Sequence, residues 1–324
     1  MAMVEQNISG IKLEKLRQKA QKKSKFTKKL FKIVFVVCLL LSMLKPRNIG
    51  IFFIFTSGEP LDAGMVAFCI LMIFMEIMLA ATLALAASGI YFLIFWKKAY
   101  NAFNDNYKNK YALLKMREVP GFSNLKYAAQ QGIPYHELLS IGLIPNENKL
   151  AFQSKDYFEG EYNEVHFRAS TVGTYEATKA TAALFEGQVI VFSSFHKFKI
   201  SESEVQIFPK KEAKKMKSFT VGEKIETENA TFNNKFSVYT QDGQNAFYIL
   251  TPQVIEDILE FAEIINDNTY IVFHKEYMYV GCQQLRSPFD AFIDQPIEEQ
   301  SQNIVKATDI IQKAREILIH IENQ

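Results

Sequence analysis

The sequence is poor in the residues that usually announce chemistry. Three cysteines, one tryptophan and five histidines occur in 324 residues. Cys38 and Cys69 lie inside apolar runs, which leaves Cys282 alone in the remainder of the chain. A lone thiol closes no intrachain disulfide there, a usage compatible with a reducing compartment. His136, His166, His196, His274 and His320 are scattered without a partner at metal-ligand spacing. No glycine-rich phosphate loop is present. Ser193, Ser194 and His196 stand close in sequence, but neighbouring side chains of a strand point to opposite faces and do not all converge. Asp156, Asp242 and Asp267 read as turn or cap residues. The expectation is a protein that is not an enzyme and needs no metal or cofactor.

Charge is balanced overall and divided unevenly. Residues 1–98 hold 14 basic and 5 acidic residues, whereas the rest holds 23 basic and 30 acidic. The second part is therefore mildly acidic. Unspecific nucleic-acid binding depends on Lys and Arg neutralising phosphates, so nucleic acid is not an expected partner.

Two apolar runs stand out in the basic part. The first, LFKIVFVVCLLLSML, begins at Leu30 and ends at Lys45-Pro46-Arg47. It is short for a span of roughly 20 residues, unless Lys28, Lys29 and Lys32 snorkel and the helix starts near Phe26. Residues 49–55, IGIFFIF, then lie in the interface. The second run, Met65 to Trp96, is interrupted only by Glu76 and is long enough to span even when tilted. Tyr91, Trp96 and Lys97-Lys98 end it as an aromatic belt and basic stop.

Lysines crowd the tail before the first run and the stretch after the second, while the loop between them offers only Lys45 and Arg47. Basic flanks mark the cytosolic side. The expected topology is a two-helix transmembrane hairpin in the cell (inner) membrane, multi-pass, with both termini cytosolic. The corresponding segments are a basic amphipathic tail (1–29), two transmembrane helices with a short external loop (30–96), a juxtamembrane helical region (97–150), an α+β domain (151–283) and a C-terminal amphipathic helix (284–324).

Within the second run Ala80, Ala84 and Ser88 recur at four-residue spacing, a smooth face suited to close helix packing. Glu76 is expected to serve a polar pairing contact, or to lie nearer the interface. After the span, Tyr100, Phe103, Tyr107, Tyr111 and Leu114 keep a helical period up to about Glu118. At the other end Ile304, Ala307, Ile311, Ala314, Leu318 and Ile321 form a heptad seam. It packs internally or joins copies in a homo-oligomer, the first being preferred.

Residues 122–150 look helical and turn-rich. Beyond them, DYFEGEYNEVHFRASTVGTY reads as two strands and ALFEGQVIVFSSFHKF as another. ATFNNKFSVYTQDGQNAFYIL reads as a hairpin about Asp242-Gly243. Thr251-Pro252 opens a helix, and TYIVFHKEYMYVGC returns as a strand pair. Strands, helix, then strands imply a mainly antiparallel α+β domain with flanking helices.

The succession of Phe185 to Phe195, Phe236 to Pro252 and the closing YIVFHKEYMYVG resembles the bacterial domain-of-unknown-function 3137 family, over roughly Leu138 to Gly281. The resemblance implies a soluble domain following a pair of transmembrane helices, and no established activity. Two roles fit this reading. One is a binding or scaffolding module on the lipid bilayer that engages a membrane or cytosolic protein. The other is a module responsive to anionic lipid, through Ile8, Ile11, Leu13 and Leu16 of the tail and through Lys210, Lys211, Lys214, Lys215 and Lys217.

Overall fold

The computed structural model describes residues 2–45, 62–144, 150–176, 183–193, 201–212, 220–266, 268–283 and 287–322. The expected interfacial stretch 49–55, together with Ser194, His196, Asp267, Lys214, Lys215 and Lys217, lies outside them, as does the side chain of Ile8. Two compact units emerge, one formed by Met1–Asn106 with Ala291–Ile297, the other by Tyr107–Asp290 with Glu298–Gln324.

The first unit is helical. Helix α1 runs Ala2–Met43, and α2 runs Ala63–Tyr91. Asp62 caps α2 by accepting from the Met65 amide, satisfying one of the free donors of the first turn. The helix continues through a π-turn (Phe92–Trp96) into α3 (Lys97–Asn106). Lys45 meets Glu76 at one end of the α1–α2 pair and Phe26 meets Tyr91 further along, so the two helices run antiparallel.

Among the described residues, one helical stretch is long and apolar enough to cross a membrane by length and composition, Ala63–Glu118. Helix α1 does not reach that measure, because its apolar half is short and carries Lys32.

The second unit begins with a second π-turn, Tyr107–Ala112, followed by α4, Leu113–Glu118. A π-turn inserts a residue and rotates everything beyond it around the helix axis. The buried stripe therefore passes through Phe103, Tyr107 and Tyr111 and then shifts to Ala112 and Met116, which leaves Leu114 on the surface. Pro120 and Gly121, the latter at φ +91°, end the helix.

Nine strands follow among the described residues: β1 (Phe122–Ala128), β2 (Leu150–Tyr162), β3 (Val165–Glu176), β4 (Ala183–Ser193), β5 (Ser201–Pro209), β6 (Glu223–Ile225), β7 (Phe236–Thr240), β8 (Thr269–Lys275) and β9 (Tyr277–Gln283). They make one sheet in the order β1-β2-β3-β4-β9-β8-β5-β7-β6. Every pairing is antiparallel. Asn163 and Glu164, both at positive φ, join β2 to β3 in the geometry of a type I′ turn.

Alternation along the strands sends side chains to two faces. One face, with Val172, Val189, Val191, Val272 and Tyr279, packs under Ile133, Leu138 and Ile144 around the short helix α5 (Tyr135–Ser140). The other face carries Phe167, Phe192, Ile271, Phe273, Met278 and Val280, all buried. The apolar stripes of α8 (Pro252–Ile264) and α9 (Ile297–Glu322) are buried as well. Lys313 to Glu260 (3.0 Å) and His320 to Asp257 (2.5 Å) tie these two helices together.

Two expectations are corrected. Residues 122–128 form an edge strand paired with β2, with Asn124 at φ +52° where the register shifts, so region 97–150 is not wholly helical. The segment around Asp242-Gly243 is no hairpin. It contains α6 (Ala230–Lys235), β7 and α7 (Gly243–Ile249), and the Asp242 carboxylate caps α7 by accepting from the Asn245 amide.

Candidate functional site

The only acid of the long apolar run is partnered. Glu76 is buried on α2, and Lys45, just past the end of α1, places its ammonium 2.9 and 3.0 Å from the two carboxylate oxygens. Cys69, Ala80, Ala84 and Ser88 complete the buried stripe of α2, spaced by turns of one helix. Ser88 donates its hydroxyl back to the Leu85 carbonyl, so no polar group on this stripe is left over in that turn. Outside the stripe, Ile70, Leu71, Phe74, Met75, Leu85 and Leu93 are each more than half exposed, as are Leu40 and Leu41 of α1.

In the second unit the charged side chains converge as structural clamps. Asp156, at φ +54° on a register shift of β2, is 1% exposed. Lys108 reaches it at 2.8 Å, and the Tyr127 hydroxyl donates to the same oxygen. Arg168 of β3 forks onto both oxygens of Glu137 on α5, locking that helix over the sheet. Gln206 of β5 donates to the Ile141 carbonyl beneath the same helix and to Glu204. Burial raises the Glu204 carboxyl above its ordinary range, and the neighbouring His274 is lowered by burial and by Lys275.

Two open clefts lie among the described residues of this unit. One, of about 580 Å³, is lined by Arg117, Lys126, Glu159, Glu161 and His166. Lys126 is already paired with Glu159, and Arg117 donates to the Leu125 carbonyl. The other, of about 430 Å³, lies over β2 to β4 with Lys155, Tyr175, Glu186 and Gln283. In neither does a nucleophile meet a base, the minimum for covalent catalysis. No group of three or more His, Cys, Asp or Glu side chains suited to a metal is found among the described residues.

The residues singled out from sequence fall in separate places. Glu76, Ala80, Ala84 and Ser88 share one buried stripe. Ile311 and Leu318 are fully buried on α9, 1% and 0% exposed. Lys210 and Lys211 are exposed, and Lys210 donates to the Asn233 carbonyl. The pairing of Glu76 with Lys45 was hidden in sequence, since 31 positions separate them. Asp156 is not the turn or cap residue expected, since it lies inside β2 at a register shift and is held there by Lys108 and Tyr127.

Cys282 of β9 is buried, and burial alone pushes its thiol up to about 12. The thiolate is the reactive form, so maleimide should leave Cys282 unlabelled in the native chain and label it only after denaturation. Mass mapping of the labelled peptide would show this, and rapid native labelling would mean that β9 opens readily.

No curated protein and no solved structure matches the chain. Residues 183–318, from the start of β4 through the buried seam of α9, match the family model described as a protein of unknown function, DUF3137.

Proposed function

We propose that the protein is a membrane-anchored binding or scaffolding module without catalytic activity, in which α1 and α2 form a transmembrane hairpin and the sheet unit sits at the cytosolic face. The observation that carries the reading is the outward surface of α1 and α2. Large apolar side chains on it are half-exposed along both helices, while the only acid of the run is turned inward onto a lysine. Such a surface has no place in water. In lipid it is the expected exterior of a helix pair with a small-residue seam. From Ala63 to Trp96 the apolar helix is 34 residues, about 51 Å at 1.5 Å per residue, so it exceeds the roughly 30 Å of hydrocarbon and has to tilt or enter the headgroups.

Binding rather than catalysis is supported by the clamps, which spend the charged groups of the sheet unit on holding elements together. Phe247 and Tyr248 of α7, 50% and 76% exposed, offer a partner an aromatic surface. Reporter fusions test the topology. Fusions at residue 20 and at the C-terminus should both report cytosol, and one near Glu59 the opposite side. A C-terminus reporting the far side would reverse the placement of the whole sheet unit.

A further inference from the structure

We infer that the groove between α1 and the end of the apolar helix is a binding site for one anionic phospholipid, held by Lys19, Lys23 and Lys98 through its phosphate. The inference rests on the membrane-anchored reading and adds a ligand to it.

The groove measures about 370 Å³ and is lined by Leu16, Lys19, Lys23, Ile94, Phe95, Lys98, Ala99 and Ala102. At about 30 Å³ per water it holds roughly a dozen water volumes, room for a phosphate ester and the first carbons attached to it. Its lining divides as a phospholipid does. Three lysines line the groove from α1 and α3, and none of them forms an ion pair with a carboxylate among the described residues. The acid of this stretch of α1, Glu14, is taken by Arg17, which binds both its oxygens. Ile94 and Phe95 supply the apolar half and are 55% and 46% exposed.

The charged half is also partly ordered. Lys23 Nζ stands 5.1 Å from the centroid of the Phe95 ring, a cation–π contact that holds the ammonium over the groove and lowers the entropy lost when an anion arrives. Phe95 packs on Tyr91 at 5.0 Å between centroids, and Tyr91 on Phe26 at 4.9 Å. Aromatic side chains of this kind collect at headgroup depth, and the lysine-rich side is the one whose leaflet carries anionic lipid.

These features select the occupant. An acidic peptide would meet the three lysines and leave Ile94 and Phe95 facing hydrocarbon. A free phosphate would use only the charged half. An anionic phospholipid satisfies both.

The test uses the full chain purified in nonionic detergent and supplied with equal amounts of phosphatidylglycerol and phosphatidylcholine, with bound lipid counted by native mass spectrometry. One phosphatidylglycerol per chain should be retained in preference to phosphatidylcholine. Lys19→Gln, Lys23→Gln and Lys98→Gln combined should weaken retention on the order of 100-fold, at about fivefold for each lysine. Phe95→Ala should weaken it with no change of charge. Lys12→Gln, Lys25→Gln and Lys28→Gln combined, on exposed lysines outside the groove, should leave it intact. Equal retention of both lipids, equal loss in the two triple variants, or displacement by inorganic phosphate would each overturn the inference. Carbonate extraction of the same membranes separates the two claims: a chain that stays in the pellet but selects no lipid refutes the site alone, and a chain released by carbonate refutes the anchor.

Discussion

Ile311→Asp with Leu318→Asp is expected to abolish the thermal transition of the sheet unit while leaving the oligomeric state unchanged. Both side chains are fully buried on α9 within one chain, beside Ile304, Ile310, Ala314 and Ile317. Each substitution forfeits about 1.5 to 3 kcal/mol of burial. Each also places a carboxylate among buried apolar side chains, which costs about 1 to 3 kcal/mol or more. The sum rivals the roughly 5 to 15 kcal/mol by which a domain is stable. Calorimetry and detergent-corrected sizing would separate the two roles weighed for the seam. Loss of the transition means internal packing, whereas a smaller particle with an intact transition would mean that the seam joins copies.

The second large effect concerns the ion pair of the helix hairpin. Lys45→Met should destabilise the α1–α2 pair by on the order of 3 kcal/mol, because it removes the ammonium that binds both oxygens of the buried Glu76 carboxylate. Adding Glu76→Met should restore most of the loss, since an apolar pair of similar volume is often as stable as a buried ion pair. Thermal melts in detergent of the wild type, both single variants and the double variant make a complete cycle. Two single-variant losses that simply add in the double variant would mean that Lys45 and Glu76 do not sense one another.

Much of the fold was readable because its signals are local. The strands β2, β3, β4, β8 and β9 carry β-branched and aromatic residues at strand period, and Pro252 marks the first turn of α8. The heptad positions of α9 are all buried, as an apolar stripe of that width requires. Errors arose where a local signal had two meanings. Asp242-Gly243 suits a tight hairpin turn, yet the carboxylate serves as a helix cap. Ala246, Ile249 and Leu250, buried at helical spacing, outweigh the turn. Around the end of β1 the run Ala128-Ala129-Gln130 favours a helix by propensity, yet pairing with β2 holds the chain extended through Ala128 and a turn follows. Strand β5 has a weak signal in sequence, because Glu202, Glu204 and the lysines after Pro209 flank its short core of Val205, Ile207 and Phe208.

The polar contacts were the least readable. Glu76 was expected to need a polar contact, but only the antiparallel pairing of α1 with α2 brings Lys45 to it. Lys108 and Asp156, or Arg168 and Glu137, lie on elements far apart in sequence. No periodicity links such pairs. The match from Ala183 to Leu318 also starts later and ends later than the stretch read as the family pattern, taking in α9 and leaving out β2 and β3. The strand motifs at Leu138–Glu176 therefore belong to the fold of this chain without lying in the matched segment.

Alkaline carbonate extraction of membranes from cells making the full chain tests the anchoring most directly. Carbonate strips proteins held by surface charge, and the three-lysine groove alone would not survive it. A protein whose α1 and α2 lie in the hydrocarbon should remain in the pellet and enter solution only with detergent. Recovery of the chain in the carbonate supernatant would contradict the membrane-anchored reading, because the apolar surface of α1 and α2 would then have to be covered by something other than lipid.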